Sequence, residues 1–178
     1  MRPRNAGKVA RTPVPQLLVA SAVIYGVHTF LPLLKANPEG GHIVNTASLA
    51  GLTSLAQLGR YCVSKHGVVA LTETLAQELA QEGSKVGATV LCPGTVATNI
   101  QRSSRNRPVR FAPGGTKDVD LRNDPAWTQA RFLEPEQVGA MVVRAIQAGD
   151  LYVMTHAEFL PPVEDRFAQI RKAFQAAG

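Results

Sequence analysis

Two short β-branched runs, "HIVNTAS" (42–48) and "KVGATVLC" (85–92), stand on either side of a long helical stretch. The first is bounded by Gly41 and "LAGL", the second is stopped by Pro93-Gly94, and both read as buried strands. Between them, over about 58–82, Val68, Leu71, Leu75 and Leu79 recur at helical spacing and form one apolar face. Strand, long helix and strand in that order predict a parallel pair closed by a right-handed crossover.

The remaining elements extend this unit. A helix is predicted over about 16–35, then a turn at "NPEGG". After residues 100–132, which read as a long loop or lid, "EPEQVGAMVVRAIQAG" (134–149) is a helix with acids in its first turn and Gly149 past its end. "LYVMTH" is a third strand, and "PPVEDRFAQIRKAF" a last helix opened by proline. The order αβαβ–loop–αβα predicts an α/β chain with a doubly wound parallel sheet of about three strands. Its first strand, 42–48, lacks a partner on one side. Residues 1–14 carry no periodicity and are expected to be poorly ordered.

Composition narrows the class. With 178 residues, 45% hydrophobic and 18% charged, the chain suits one soluble globular domain at 15–178. Cys62 and Cys92 cannot build a disulfide framework and have no metal spacing, which favours a reducing, cytoplasmic setting. The net charge of +6 comes largely from two runs: Arg2, Arg4, Lys8 and Arg11, then Arg102, Arg105, Arg107 and Arg110. Neither is interleaved with aromatics, so no nucleic-acid partner is expected. The run 17–34 has no charged residue, but Gly26, His28 and Pro32 interrupt it; it is expected to be a buried helix, with no membrane partner. His28, His42, His66 and His156 have no metal spacing and read as structural or exposed.

In parallel α/β sheets chemistry gathers beyond the carboxyl ends of the strands. Ser48 ends the first strand, Tyr61 and Lys65 open the next helix, and Pro93-Gly94 ends the second strand. Tyr61 and Lys65, four residues apart, share one helix face. A free tyrosine titrates at about 10, and a neighbouring ammonium stabilises its phenolate. A serine hydroxyl can then hold a carbonyl or alcohol oxygen beside the phenol. Such a group suits proton transfer in interconverting C–OH and C=O, with the hydride supplied by a cofactor. A Ser48/His66 hydrolase is the enzymatic rival, but "TASLA" lacks the flanking glycines of a nucleophile elbow.

"HIVNTASLAG", "YCVSK" with Tyr61 thirteen residues after Ser48, and "LCPGTVATNI" together resemble the catalytic half of the short-chain dehydrogenase/reductase family, over about residues 22–155. The resemblance implies a partial Rossmann-like sheet and an NAD- or NADP-dependent oxidoreductase acting on a small alcohol or ketone. It implies that Tyr61 is the acid/base, that Lys65 lowers its pKa and holds the nicotinamide ribose, and that Ser48 orients the substrate oxygen. Pro93, Gly94 and Val96 would line the nicotinamide, with Thr98 near its carboxamide or the diphosphate. Residues 100–132 would be the variable substrate lid, and the helices at 16–35 and 58–82 the surface through which members often form homo-oligomers.

The sequence also departs from the family. It has no match to the glycine-rich TGxxxGxG turn, nor to the first βαβαβ half that seats the adenosine and diphosphate. The family's catalytic asparagine falls at Val19 or Val23, depending on how the helix is aligned. The alternative reading is therefore a truncated, inactive remnant acting at most as a dimerisation module.

Overall fold

A computed structural model describes residues 15–100, 102 and 130–178. The expected disordered start at 1–14, the basic cluster apart from Arg102, and nearly all of the expected lid lie outside the described residues. The chain divides into two compact units, one formed by Met1–Gly94 with Met141–Gly178 and the other by Thr95–Ala140.

In the larger unit, helix α1 (Pro15–Ala36) leads through a turn at 37–40 into β1 (Gly41–Thr46). Helix α2 (Gly59–Gln81) carries the chain back to β2 (Val86–Cys92), and β3 (Tyr152–Met154) completes a sheet of order β1-β2-β3. Both pairings are parallel, with Gly41 opposite Val86 and Val90 opposite Tyr152. The chain closes with α4 (Leu160–Gln175). Gly40 makes the approach to β1 possible. Its φ is +77°, and a Cβ there would lie 2.3 Å from the Lys85 carbonyl oxygen.

Of the apolar face predicted for α2, Val68, Leu75 and Leu79 are buried on the sheet, whereas Leu71 is only half-buried. Val68 and Val69 meet Ala47, Val90 and Cys92, while Leu75 and Leu79 meet Val86 and Ala88. Burying a side chain such as Val68 contributes about 1.5–3 kcal/mol. Two polar residues within this apolar layer fix its register. Asn45 Nδ2 donates to Thr72 Oγ1 at 3.0 Å, and Thr72 Oγ1 donates to the Val68 carbonyl at 2.7 Å. The middle of α2 is thereby held on β1.

The expected buried helix at α1 is half right. Val23, Val27, Leu31 and Leu34 are half-buried against β1 and α2, but Ile24, Tyr25, Phe30 and Leu33 are exposed. The cause is topological: α1 lies over the edge strand, so only one of its faces finds a neighbour. Its segment Val19–Ala36 is also long and apolar enough to cross a membrane by length and composition. An apolar groove of about 370 Å³ runs between α1 and β1, lined by Val23, Phe30, Leu34, Ile43 and Val44 among others.

In the smaller unit, Val96 and Leu133 form a parallel bridge, and Thr95 Oγ1 donates to the Arg131 carbonyl at 2.5 Å. Helix α3 (Pro135–Ala148) starts there, with Gln137 Oε1 accepting the Glu134 N–H at 2.9 Å.

Candidate active site

Strand β1 ends at Thr46, two residues earlier than its β-branched pattern suggests. Ala47 still bonds to the Leu91 carbonyl, but Ser48 turns away and caps a short 3-10 helix, Leu49–Gly51. The Ser48 hydroxyl accepts the Ala50 N–H at 3.2 Å. The Leu49 N–H donates to the Pro93 carbonyl at 3.1 Å, which ties the Ser48 turn to the end of β2.

That turn presses on α2 where Lys65 sits. A Cβ on Gly51 would lie 2.7 Å from the Lys65 carbonyl oxygen and 2.9 Å from Val69 Cγ2, so only glycine lets the two segments meet this closely. From the same helical turn the Lys65 side chain reaches back to β1, and its Nζ donates to the Thr46 carbonyl at 3.1 Å. Main-chain carbonyls alternate in direction along a strand. Ala47 N–H points at β2, so the Thr46 carbonyl points away from it and is open to the lysine.

Tyr61 is half-buried in the first turn of α2, with the Lys65 ammonium 5.8 Å from its ring centroid. The Ser64 hydroxyl donates to the Tyr61 carbonyl at 2.8 Å and so satisfies a buried polar group within that turn. Cys62 is buried, and its sulfur accepts the Leu55 N–H at 3.4 Å. Just before α2, Gln57 takes a φ of 67°, the left-handed region, to turn the chain into the helix.

Burial lowers the Lys65 ammonium from its ordinary pKa, and the Cys92 sulfur opposes that shift. Burial pushes the Cys92 thiol up to about 11, with the Ser48 main chain drawing it the other way. Cys92 is thus a protonated packing residue at neutral pH. Lys65 has three N–H donors, of which Thr46 takes one.

Pro93 and Gly94 follow β2 directly. The Gly94 N–H donates to Thr155 Oγ1 at 3.0 Å, and Thr155 Oγ1 lies 2.6 Å from His156 Nδ1. A Cβ on Gly94 would lie 2.7 Å from that same nitrogen, so the glycine is required by its packing on His156. Val96 and Thr98, the other expected cofactor contacts, belong to the smaller unit. There Val96 is half-buried in its bridge to Leu133, and Thr98 is exposed with its N–H on the Val96 carbonyl. Of the two positions for the family asparagine, Val19 is exposed, whereas Val23 packs against the cluster that holds Ala47.

The bonds at the carboxyl end therefore gather the segments bearing Ser48, Tyr61, Lys65, Pro93 and Gly94. Residues 18–108 match the family described as short chain dehydrogenase. The chain belongs to that family.

Among solved members, the short-chain dehydrogenase/reductase of Burkholderia phymatum, crystallised with NAD, is 34% identical; the match covers 89% of this chain and 58% of that one, with a TM-score of 0.75. Among curated members, the Cα-dehydrogenase of a Sphingobium species is 28% identical over 84% of this chain and 49% of its own length. The CLA biosynthesis dehydrogenase/reductase of Lactiplantibacillus plantarum is 25% identical over 83% and 54%. The chain spans about half the length of these curated relatives.

Sequence reasoning missed Thr46, Gly51 and Thr155, and read His156 only as structural or exposed; it is buried. Thr46 acts through its carbonyl, which no side-chain motif marks. Gly51 sits inside "LAGL" and signals nothing until α2 is packed against it. Thr155 and His156 follow β3 and are themselves buried, so both need partners.

Proposed function

We propose that this short-chain dehydrogenase is an NAD- or NADP-dependent oxidoreductase that interconverts an alcohol and a carbonyl at Tyr61, Lys65 and Ser48. One observation carries the reading: Lys65 is anchored on the Thr46 carbonyl at 3.1 Å with its ammonium 5.8 Å from the Tyr61 ring, at the carboxyl end of a parallel sheet. The family relative crystallised with NAD supports the choice of cofactor class.

Tyr61 moves the proton, giving it to a carbonyl oxygen or taking it from an alcohol. Lys65 stabilises the phenolate form and offers its remaining N–H donors to ribose hydroxyls. Ser48 donates its hydroxyl proton to the substrate oxygen, which its role as acceptor from Ala50 leaves available. Pro93 and Gly94, with Val96 and Thr98, would line the nicotinamide. When bound, the dinucleotide supplies or accepts the hydride. A homo-oligomer through α1 and α2 belongs to the same reading, supported by exposed Tyr25, Phe30, Leu33 and Val63. So does a cytoplasmic setting, supported by free thiols at Cys62 and Cys92.

Titration with NADH and NADPH, followed by fluorescence and calorimetry, tests the reading. Saturable binding is expected, with Lys65→Ala weakening it. Tyr61→Phe should abolish turnover of a panel of alcohols and ketones while leaving affinity for the dinucleotide nearly unchanged. No binding up to millimolar dinucleotide would sink the catalytic reading and leave the inactive dimerisation module. Unchanged turnover in Tyr61→Phe would remove Tyr61 from its role.

A further inference from the structure

Helix α4 has no buried residue, and its main packing is against the short turn Ala157–Phe159 that leads into it. Yet its sequence is not that of a solvated helix. Leu160, Val163, Phe167, Ile170 and Phe174 recur at spacings of 3, 4, 3 and 4 and form one apolar stripe. Leu160 is 55% exposed, Phe167 51% and Phe174 77%. A 3-4 alternation is the seam of a coiled coil, with Leu160, Phe167 and Phe174 at the a positions and Val163 and Ile170 at d.

The flanking charges select the orientation. Glu164 and Arg171 occupy e positions and Arg166 a g position. In a parallel pair, g faces the following e of the mate, and Arg166 would meet the partner's Arg171. In an antiparallel pair, e faces e, and Glu164 meets the partner's Arg171 twice about the twofold axis. The seam obeys the same symmetry. Reversal sets Val163 against the partner's Phe174 and Phe167 against the partner's Ile170, a small side chain opposite a large one and an a position opposite a d. The polar face carries Glu164 and Asp165 beside Arg166, Arg171 and Lys172, without the basic excess of a helix that lies on an anionic lipid surface.

We propose that α4 is a self-association helix through which two copies of this chain pair antiparallel, across an interface separate from the α1 and α2 face. The pairing does not depend on whether the chain turns over a substrate. Because the seam is short, the dimer is reversible and dissociates on dilution.

Sedimentation velocity of the full chain over a concentration series tests this. Phe167→Glu combined with Ile170→Glu should raise the dissociation constant by about a hundredfold or more, with the far-ultraviolet circular dichroism of the folded domain retained. Glu164→Arg alone and Arg171→Glu alone should each raise it by about tenfold, and the two together should restore it. Restoration is the result that a merely structural α4 would not give. A seam variant that assembles like the wild type overturns the proposal. So does a double charge reversal that stays weak, or a wild-type chain that is monomeric at every concentration. Loss of binding to phosphatidylglycerol vesicles in the seam variant of a chain monomeric in buffer would assign the stripe to lipid, and also overturns it.

Discussion

Two lysines in this short-chain dehydrogenase make the same bond at opposite ends of the sheet. At the amino end Lys85 Nζ donates to the Pro38 carbonyl at 3.0 Å; at the carboxyl end Lys65 Nζ donates to the Thr46 carbonyl at 3.1 Å. Lys85 is exposed, and its bond helps close the turn that also holds Asn37 Nδ2 on the Gly40 carbonyl at 2.8 Å. Lys65 is half-buried beside the Tyr61 ring, and burial lowers its pKa. The amino end also carries a groove of about 530 Å³ lined by Glu39, His42, Lys85 and Ile146 among others. What separates the ends is the company each ammonium keeps: a turn in one case, a phenol and a serine-capped turn in the other.

Substituting the glycine that shapes each end is the strongest way to break this comparison. In Gly40→Ala the new Cβ meets the Lys85 carbonyl at 2.3 Å in a backbone with φ +77°. Left-handed strain and overpacking together should cost about 2–5 kcal/mol. Gly51→Ala meets Lys65 and Val69 at 2.7 and 2.9 Å without positive φ. It should cost about 1–3 kcal/mol. Thermal unfolding should rank them in that order, and dinucleotide titration well below both transitions should reverse the ranking. Gly51→Ala displaces the Ser48 turn from Lys65 and should weaken binding, whereas folded Gly40→Ala should bind like the wild type. Equal affinities in the two variants would break the distinction between the ends.

Thr72 lies between the two ends and anchors α2 to β1. Thr72→Val leaves buried Asn45 Nδ2 without its acceptor, which should cost about 1–3 kcal/mol in urea unfolding. Thr72→Ser keeps the hydroxyl and should recover most of that loss. If serine is no better than valine, the hydroxyl is not what holds the register.

The parts of this architecture written in periodicity were legible beforehand. The β-branched runs gave β1 and β2, the spacing of Val68, Leu71, Leu75 and Leu79 gave the apolar face of α2 with Leu71 only half-buried, and the order of Ser48, Tyr61, Lys65 and Pro93-Gly94 gave the family. Contacts that exist only after packing were not legible. The Lys65–Thr46 bond needs a strand carbonyl pointing away from β2, and the role of Gly51 needs α2 already in place. The two residues lost from the end of β1 reflect a competition: Ser48 gains more by capping Leu49–Gly51 than by extending the ladder. The exposed half of α1 was hidden for a similar reason, since an apolar sequence does not say how many neighbours its helix will find.

The smallest expected effect lies at the amino end, on His42. Its Nε2 is 2.7 Å from Thr89 Oγ1, whose hydroxyl also lies 2.7 Å from the Asp150 carbonyl. With the threonine proton given to Asp150, the neutral ring donates from Nε2. Burial lowers the pKa of His42 below its ordinary 6.5, so the unfolded chain takes up a proton at this site before the folded chain does. The resulting contribution to stability is fully present above about 6.5 and is lost as the pH falls toward the lower folded value. Glu39, in the turn before β1, and Lys85, the residue preceding β2, line the same groove with opposite charges. His42→Gln removes the titration, so the difference in unfolding free energy between wild type and variant should shrink as the pH drops below 6.5 and stay level from 7 to 8. Because the ring is only half-buried, the change should be small beside that of either glycine. A difference that grows on acidification would mean that the folded protein favours the charged ring, with Glu39 outweighing burial at that end of the sheet.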